Sequence, residues 1–287
     1  MKETKVLRAG IEIGAGSPPL NAEVRSARPG ELSPVVVVCP GFLGYSGWGF
    51  FPYVSEELAL SGFHVLTMTF SHSGTDPGTG RIVRPSEFAA DTVSKELEDL
   101  DAAVSFVMSE EFPLEAEGGI GLLGHSRGGS VAILTASRRE GIGSLVTWSA
   151  PSTLDRYTSR RKDAWKRTGA LVFEDPRAEG PLRLDYSYYE DIERNRAEFD
   201  LPAAVSRLSI PYLAVHGERD AAVPLREAGE LLAGAGRGDA ALEIIPGCGH
   251  TFGAAHPMRC PGPAIERAAR LTCAWFERTL GRRERSR

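Results

Sequence analysis

Cysteine is scarce in this chain: Cys39, Cys248, Cys260 and Cys273 are the four among 287 residues. No two are spaced C-x-x-C, which argues against a zinc ribbon or a dithiol redox pair, and neither a metal nor another cofactor is expected. Long apolar runs are also missing. No stretch approaches the roughly 18 apolar residues of a membrane-spanning helix, and Met1 to Leu20 holds no apolar core of signal-peptide length. The expectation is therefore a cytoplasmic protein with reduced thiols and no membrane partner. Charge of one sign is absent too. Lys and Arg number 33 against 38 Asp and Glu, a net −5 without long single-sign blocks, so no nucleic-acid surface is expected. The basic tail Arg282, Arg283, Arg285 and Arg287 reads as a frayed end.

What remains is ordinary globular material: 42% hydrophobic and 25% charged residues, enough to bury a sizeable core. Val6–Ile13 and Ala22–Val24 read as an edge hairpin turning at Gly14–Pro19. Val35–Cys39 is a continuous β-branched run, as a strand covered on both faces should be. A helix over Phe50–Leu60 and a strand over Phe63–Phe70 follow, then a Gly/Ser/Thr/Pro-rich loop over Ser71–Arg84. Pro85 to about Met108 reads as one long helix with Phe88, Val93, Leu97, Leu100, Val104 and Val107 on its apolar face. Glu96, Glu98, Asp99 and Asp101 are assigned to its solvated face. Strands are expected at Gly119–Leu123, Ser144–Trp148, Ile210–His216 and Ala241–Ile245, and helices at Ser130–Ala136, Leu225–Leu232 and Pro263–Leu280. Strand–helix alternation of this kind argues for a mostly parallel sheet with helices on both faces. Ser152–Asp200 breaks the pattern: it is charged, carries four of the seven tyrosines, and shows helical patches without a clear strand.

In such sheets ligands bind beyond the carboxyl ends of the strands. The loop after the Gly119–Leu123 strand reads Gly124-His125-Ser126-Arg127-Gly128-Gly129. A G-x-S-x-G between a strand and a helix sets a serine on a tight turn with its hydroxyl exposed, and the glycines admit the close backbone approach. A serine hydroxyl needs a base, usually histidine, oriented by a carboxylate. The loop after His216 offers Glu218 and Asp220, and the loop after Ile245 offers His250. Asp220 is preferred, with Glu218 read as a turn residue. Among the six histidines, His64 and His216 read as strand residues. His125 lies inside the turn and is expected to point away from Ser126. His72 is a candidate for the site mouth, and His256 is the rival to His250. An oxyanion hole needs two backbone N–H groups. Arg127 follows the nucleophile, and Phe42 follows Pro40-Gly41, where Pro40 has no N–H to offer.

These parts, Pro40-Gly41-Phe42, Gly124–Gly129, His216–Pro224 and Gly249-His250-Thr251-Phe252, occur in the order of the α/β-hydrolase superfamily, which the chain resembles over about residues 33–280. Within it the chain looks most like bacterial serine hydrolases grouped with dienelactone-hydrolase-like and cinnamoyl- or feruloyl-esterase-like proteins. Two departures stand out. The family often has His-Gly where this chain has Pro40-Gly41, and true dienelactone hydrolases carry cysteine where this chain has Ser126. The resemblance implies a roughly eight-stranded sheet, with a core over residues 1–151 and 201–287 and a cap inserted at 152–200.

The expected activity is cleavage of a small-molecule carboxylic ester by Ser126, His250 and Asp220. Thioesterase, acyltransferase, peptidase and non-catalytic binding-protein alternatives remain open. Gly41, Trp48, His72 and Trp165 are candidates for substrate contact. Tyr157, Trp165, Tyr186, Tyr188 and Tyr189 read either as a wall for an acyl group or as the insertion's own core. Trp48, Phe50 and Phe51 read as pocket wall or helix packing, and Arg160-Arg161-Lys162 as a solvated turn or an attractant for an acidic substrate.

Overall fold

Strand β3 (Val35–Cys39) is buried at all five positions. Its side chains divide between two cores: Val35, Val37 and Cys39 join one apolar cluster, Val36 and Val38 the other. That division is the signature of a strand in the middle layer of three, and it repeats in β9 (Tyr212–Gly217), where Tyr212 and Ala214 face one way and Leu213 and Val215 the other. The computed structural model describes residues 6–14, 18–235 and 239–280. The basic tail and residues 15–17 of the hairpin turn lie outside the described residues.

The other strands of the main sheet are β1 (Leu7–Ile13), β2 (Leu20–Ser26), β4 (His64–Thr69), β5 (Ile120–His125), β6 (Ile142–Trp148) and β10 (Ala240–Ile245). The eight run in the order β1-β2-β4-β3-β5-β6-β9-β10. β1 and β2 pair antiparallel, as does β2 with β4; every later pairing is parallel. Helices α1 (Phe51–Leu60) and α9 (Pro263–Leu280) cover one face. On the other lie α3 (Val93–Val107), α4 (Arg127–Ala136), α7 (Leu201–Ser206) and α8 (Arg226–Ala233). The expected sheet and its two helical layers are thus present. Helix α7, capped by Asp200 accepting from the Ala203 N–H, had no sequence expectation.

Three local expectations are corrected. The helix read from Pro85 to Met108 is two, α2 (Pro85–Ala89) and α3. Thr92 is extended, with φ −149° and ψ 161°, and its side chain accepts from the Lys95 N–H, so a new helix starts there. Residues 152–200 do contain strands. After α5 (Ser159–Thr168), the hairpin β7 (Ala170–Phe173) and β8 (Leu182–Asp185) forms a separate two-stranded sheet, followed by α6 (Ser187–Arg194). Four-residue strands are too short to show alternation in sequence. Finally, Glu96 and Asp99 are not on a solvated face. Glu96 is buried against the Arg127 guanidinium, and the Asp99 carboxylate accepts from the Ser71 N–H at 2.7 Å.

Candidate active site

Strands β3, β5, β9 and β10 end at the same edge of the sheet, and the loops beyond them meet. Ser126 occupies the turn between β5 and α4 with φ 54° and ψ −125°, a left-handed conformation that side-chain-bearing residues rarely adopt. Glycines make the turn possible. A Cβ on Gly128 would stand 2.2 Å from the Pro40 carbonyl oxygen and 2.5 Å from that of Cys39; one on Gly124 would stand 2.4 Å from the Gly128 carbonyl oxygen. Both obstacles are backbone, which cannot swing aside.

His250 Nε2 lies 2.9 Å from Ser126 Oγ, and His250 Nδ1 lies 2.8 Å from Asp220 Oδ2. The residues converge from positions 30 and 124 apart in sequence. The other carboxylate oxygen of Asp220 accepts from the N–H groups of Ala222 and Val223 at 2.9 and 2.8 Å. Burial alone would raise the Asp220 pKa, but the hydrogen bonds from His250 and the Val223 N–H outweigh it and hold the carboxyl below its ordinary value. Asp220 therefore presents a fixed negative charge to the imidazole. Glu218 accepts from the Gly247 N–H at 2.8 Å and braces the turn after β10, as the turn reading expects.

The loop after β3 closes onto the serine. A Cβ on Gly41 would lie 2.9 Å from the His125 carbonyl oxygen and 3.0 Å from Ser126 Cβ. Gly44 N–H donates to the Gly41 carbonyl at 2.8 Å, and Leu43 has φ 60°, so the loop is a tight turn. Arg127 opens α4, so its N–H has no carbonyl one helical turn earlier to bind. The Phe42 ring packs against Phe88 and Phe173 at 5.7 and 5.3 Å, and the Arg127 guanidinium stands 4.6 Å over it.

A cleft of about 560 Å³ opens at Ser126 and His250, a size suited to a small-molecule ligand. Gly41, Phe42 and Trp48 line it, as do Phe51, His125 and His256. Two of the four expected contact residues, Gly41 and Trp48, are thus brought to the cleft. The other two are not. The Trp165 indole is fully buried, donates its N–H to the Leu184 carbonyl at 2.9 Å, and is surrounded by Tyr157, Tyr186, Tyr188 and Tyr189. It is the core of the 152–200 segment. His72 sits in the 3-10 turn after β4, pairs with Ser71 Oγ at 2.9 Å, and does not line the cleft. Phe50 is buried under the cleft floor against His125 and Trp148, while Phe51 is wall.

His125, expected to point away from Ser126, packs against the His250 loop. Its Nε2 lies 3.1 Å from the His250 carbonyl oxygen and its ring 4.9 Å from that of His250. Burial drives its pKa down to about 3, so it is neutral and free to donate that Nε2–H to the carbonyl. His256, the rival base, instead accepts the Gly49 N–H at 3.0 Å and stacks on Trp48 at 6.0 Å. The residues with no sequence expectation are Asp175, Pro176 and Arg177, from the turn between β7 and β8. Arg177 forms a side-chain pair with Asp175 at 2.8 Å and donates to the Leu43 carbonyl at 2.7 Å. The available signal is the Asp175-Pro176 dipeptide, a turn initiator within a segment that reads as helical. Among the described residues no group of three or more His, Cys, Asp or Glu is positioned for a metal ion, and no helix is long and apolar enough to cross a membrane.

Comparison with known proteins adds a family and a fold. The profile of the alpha/beta hydrolase family matches residues 36–261. No curated protein sequence matches. Among solved structures, Est1E from Butyrivibrio proteoclasticus is 20% identical over 95% of this chain and 99% of its own, with a TM-score of 0.69; it has also been solved with ferulic acid bound. A dienelactone hydrolase from Anabaena variabilis is 17% identical over 96% and 99%, with a TM-score of 0.62. Alpha/beta hydrolase domain-containing protein 10 from mouse is 17% identical over 94% and 99%, with a TM-score of 0.70. Identities this low show a shared fold alone.

Proposed function

The chain belongs to the alpha/beta hydrolase family, and from that premise we propose that it is a serine hydrolase cleaving a small-molecule carboxylic ester through an acyl-enzyme. The observation that carries this reading is the chain of two hydrogen bonds from Asp220 through His250 to Ser126. In it His250 takes the Ser126 proton as Oγ attacks the ester carbonyl. The developing oxyanion is held by the N–H groups of Phe42 and Arg127. His250 passes the proton to the leaving alcohol, the C–O bond breaks, and the alcohol departs. Water then attacks the acyl-enzyme with His250 again as base, releasing the acid and restoring Ser126. Asp220 keeps the proton-bearing Nδ1 of the imidazole toward itself and stabilises the imidazolium. No step calls for a cofactor.

The apolar and aromatic lining, Phe42, Trp48 and Phe51, suits a neutral acyl or alkoxy group. Ferulic acid bound to Est1E makes aromatic acyl esters worth including among test substrates. Residues 152–200 are proposed as a cap, because their β7–β8 turn lines the cleft from above the loop after β3. The four unpaired cysteines suit a reducing compartment, so a cytoplasmic setting is part of the reading.

The test is hydrolysis of p-nitrophenyl esters from acetate to octanoate, with an aryl acrylate ester, by wild type and Ser126→Ala. Turnover that falls by at least ~10³-fold in the variant is the expected result. A wild type that neither turns over any ester nor takes a fluorophosphonate label overturns the reading and favours a binding protein on the same fold.

A further inference from the structure

Arg127 has a side chain that the reaction above does not use. Its guanidinium is buried, and one nitrogen, Nη2, contacts both Asp91 Oδ2 at 2.6 Å and Glu96 Oε1 at 2.5 Å. One face of the guanidinium stands 4.6 Å from the Phe42 ring, and Tyr188 of α6 lies 5.2 Å from it. The three side chains of this ion cluster line one small cavity with Gly41, Leu43 and Gly44, directly behind the loop after β3. A buried cluster of this kind is costly to form and contributes little to stability beyond what an apolar filling would, so its position is the informative feature.

We propose that the Arg127 side chain is a positioning residue for the oxyanion hole. Clamped by Asp91 and Glu96, it fixes the Phe42 loop and ties that loop to the 152–200 segment through Tyr188. This rests on the esterase reading above. One residue then serves both halves of the hole: its main chain supplies one N–H, and its side chain holds the ring of the residue that supplies the other. Because Phe42 also packs on Phe173 of β7, a shift of the segment is felt at the hole along both paths.

The charge balance gives a second handle. Burial raises the Glu96 pKa to about 8, and the Asp91 carboxyl is also raised by burial. Burial works against the Arg127 charge, but Glu96 more than offsets it, so the guanidinium stays ionised. Loss of the Glu96 proton then adds a negative charge directly behind the hole. The other titratable groups facing Glu96 are Asp99 on its own helix, Tyr188 from α6 and the Cys39 thiol from β3, with Lys95 beside Asp91. None of them compensates a new negative charge behind the hole.

The experiment measures kcat and KM for a p-nitrophenyl ester across pH 6–9.5 with wild type, Arg127→Leu, Arg127→Lys, Tyr188→Leu and Glu96→Gln. Arg127→Leu strands two carboxylates and can fail to fold, so the triple variant Asp91→Asn, Glu96→Gln, Arg127→Met, which removes all three charges together, is made as well. Expected are a kcat lower by about 10²-fold in the triple variant with KM within about threefold, and partial rescue by lysine, which keeps charge without the planar fork. Tyr188→Leu is expected to lower kcat by about 10-fold. An alkaline limb of kcat near pH 8 is expected in wild type and absent in Glu96→Gln. A folded triple variant with wild-type kcat, or the same alkaline limb in Glu96→Gln, overturns the proposal. A wild type inert toward both esters and fluorophosphonate instead overturns the esterase reading, and the positioning role goes with it.

Discussion

At the scale of single residues, the site is set by what is missing from side chains as much as by what they carry. Gly128 packs directly under the backbone of β3's end, with carbonyl oxygens where a Cβ would be. Gly128→Ala must therefore push the Pro40–Phe42 loop away from Ser126. The expected outcome is a loss of at least ~10²-fold in kcat and a destabilisation of a few kcal/mol, read by ester turnover and urea denaturation. Gly229 offers the contrast. It lies exposed inside α8, and a Cβ added there would meet nothing within 4 Å. Gly229→Ala is expected to stabilise by about 0.5–1 kcal/mol and to leave turnover unchanged, since only the helix propensity changes. Equal losses in the two variants would mean that the close backbone approach at the Ser126 turn does not govern the first. The turn at Ser126 is legible in sequence for the same reason that it is intolerant. A spacing that only glycine satisfies leaves a pattern, and Ser126, Asp220 and His250 each follow a strand in a fixed order. The contact of His125 with His250 is not legible, because it is made across loops 125 residues apart.

At the scale of elements, the β7–β8 hairpin matters most. Its turn reaches the site through Arg177, whose guanidinium donates to the Leu43 carbonyl while paired with Asp175. Arg177→Met removes the donor and leaves a half-buried carboxylate in the cleft wall without its partner. The expected result is a kcat/KM lower by roughly 10-fold, as follows from losing about one charged hydrogen bond. Arg81→Met, which breaks only the exposed pair with Glu179 on the same hairpin turn, is the control and should leave kcat/KM unchanged. Identical kinetics in the two variants would mean that the Arg177 contact of the β7–β8 turn does not shape the site. This element is hidden in sequence because two strands of four residues give too short an alternation, and because charged residues dominate the segment. The long helix over Pro85–Met108 fails differently. Thr92 is an N-cap type in a place where the apolar spacing continues on both sides, and that continuity masks the cap. Glu96 stands three residues after Val93 and so lies on the apolar face of α3. Its charge points to solvent, whereas its position points to the core, and position prevails because Arg127 is there to meet it.

At the scale of the whole molecule, the buried ionisable groups act on folding with opposite signs. Burial lowers His125 to about 3 and His72 to about 4, so the unfolded chain binds protons that the folded one refuses below the free histidine value of 6.5. That contribution is present above pH 6.5 and is lost on acidification. Burial raises Glu96 to about 8 and Asp99 to about 6, so the folded chain keeps protons that the unfolded one has released above 4.5 and 3.8. Those contributions are present at low pH and are lost as pH rises. Between about pH 4.5 and 6 the two pairs offset each other. Well above pH 6.5 these histidines are neutral in both states and Asp99 is ionised in both, which leaves the raised carboxyls beside Arg127, Glu96 and Asp91. Stability should then fall as pH rises, by on the order of 1–2 kcal/mol from pH 6.5 to 8. For a chain of this size that is a drop of a few degrees in Tm. Urea denaturation at pH 6.5, 7.2 and 8 reads it directly, and Glu96→Gln should flatten the slope whether or not the variant is less stable overall. A flat wild-type profile would mean that Glu96 is already ionised beside Arg127 at pH 6.5. The alkaline limb expected in kcat would then have to vanish with it, because both effects come from the same proton behind the same loop.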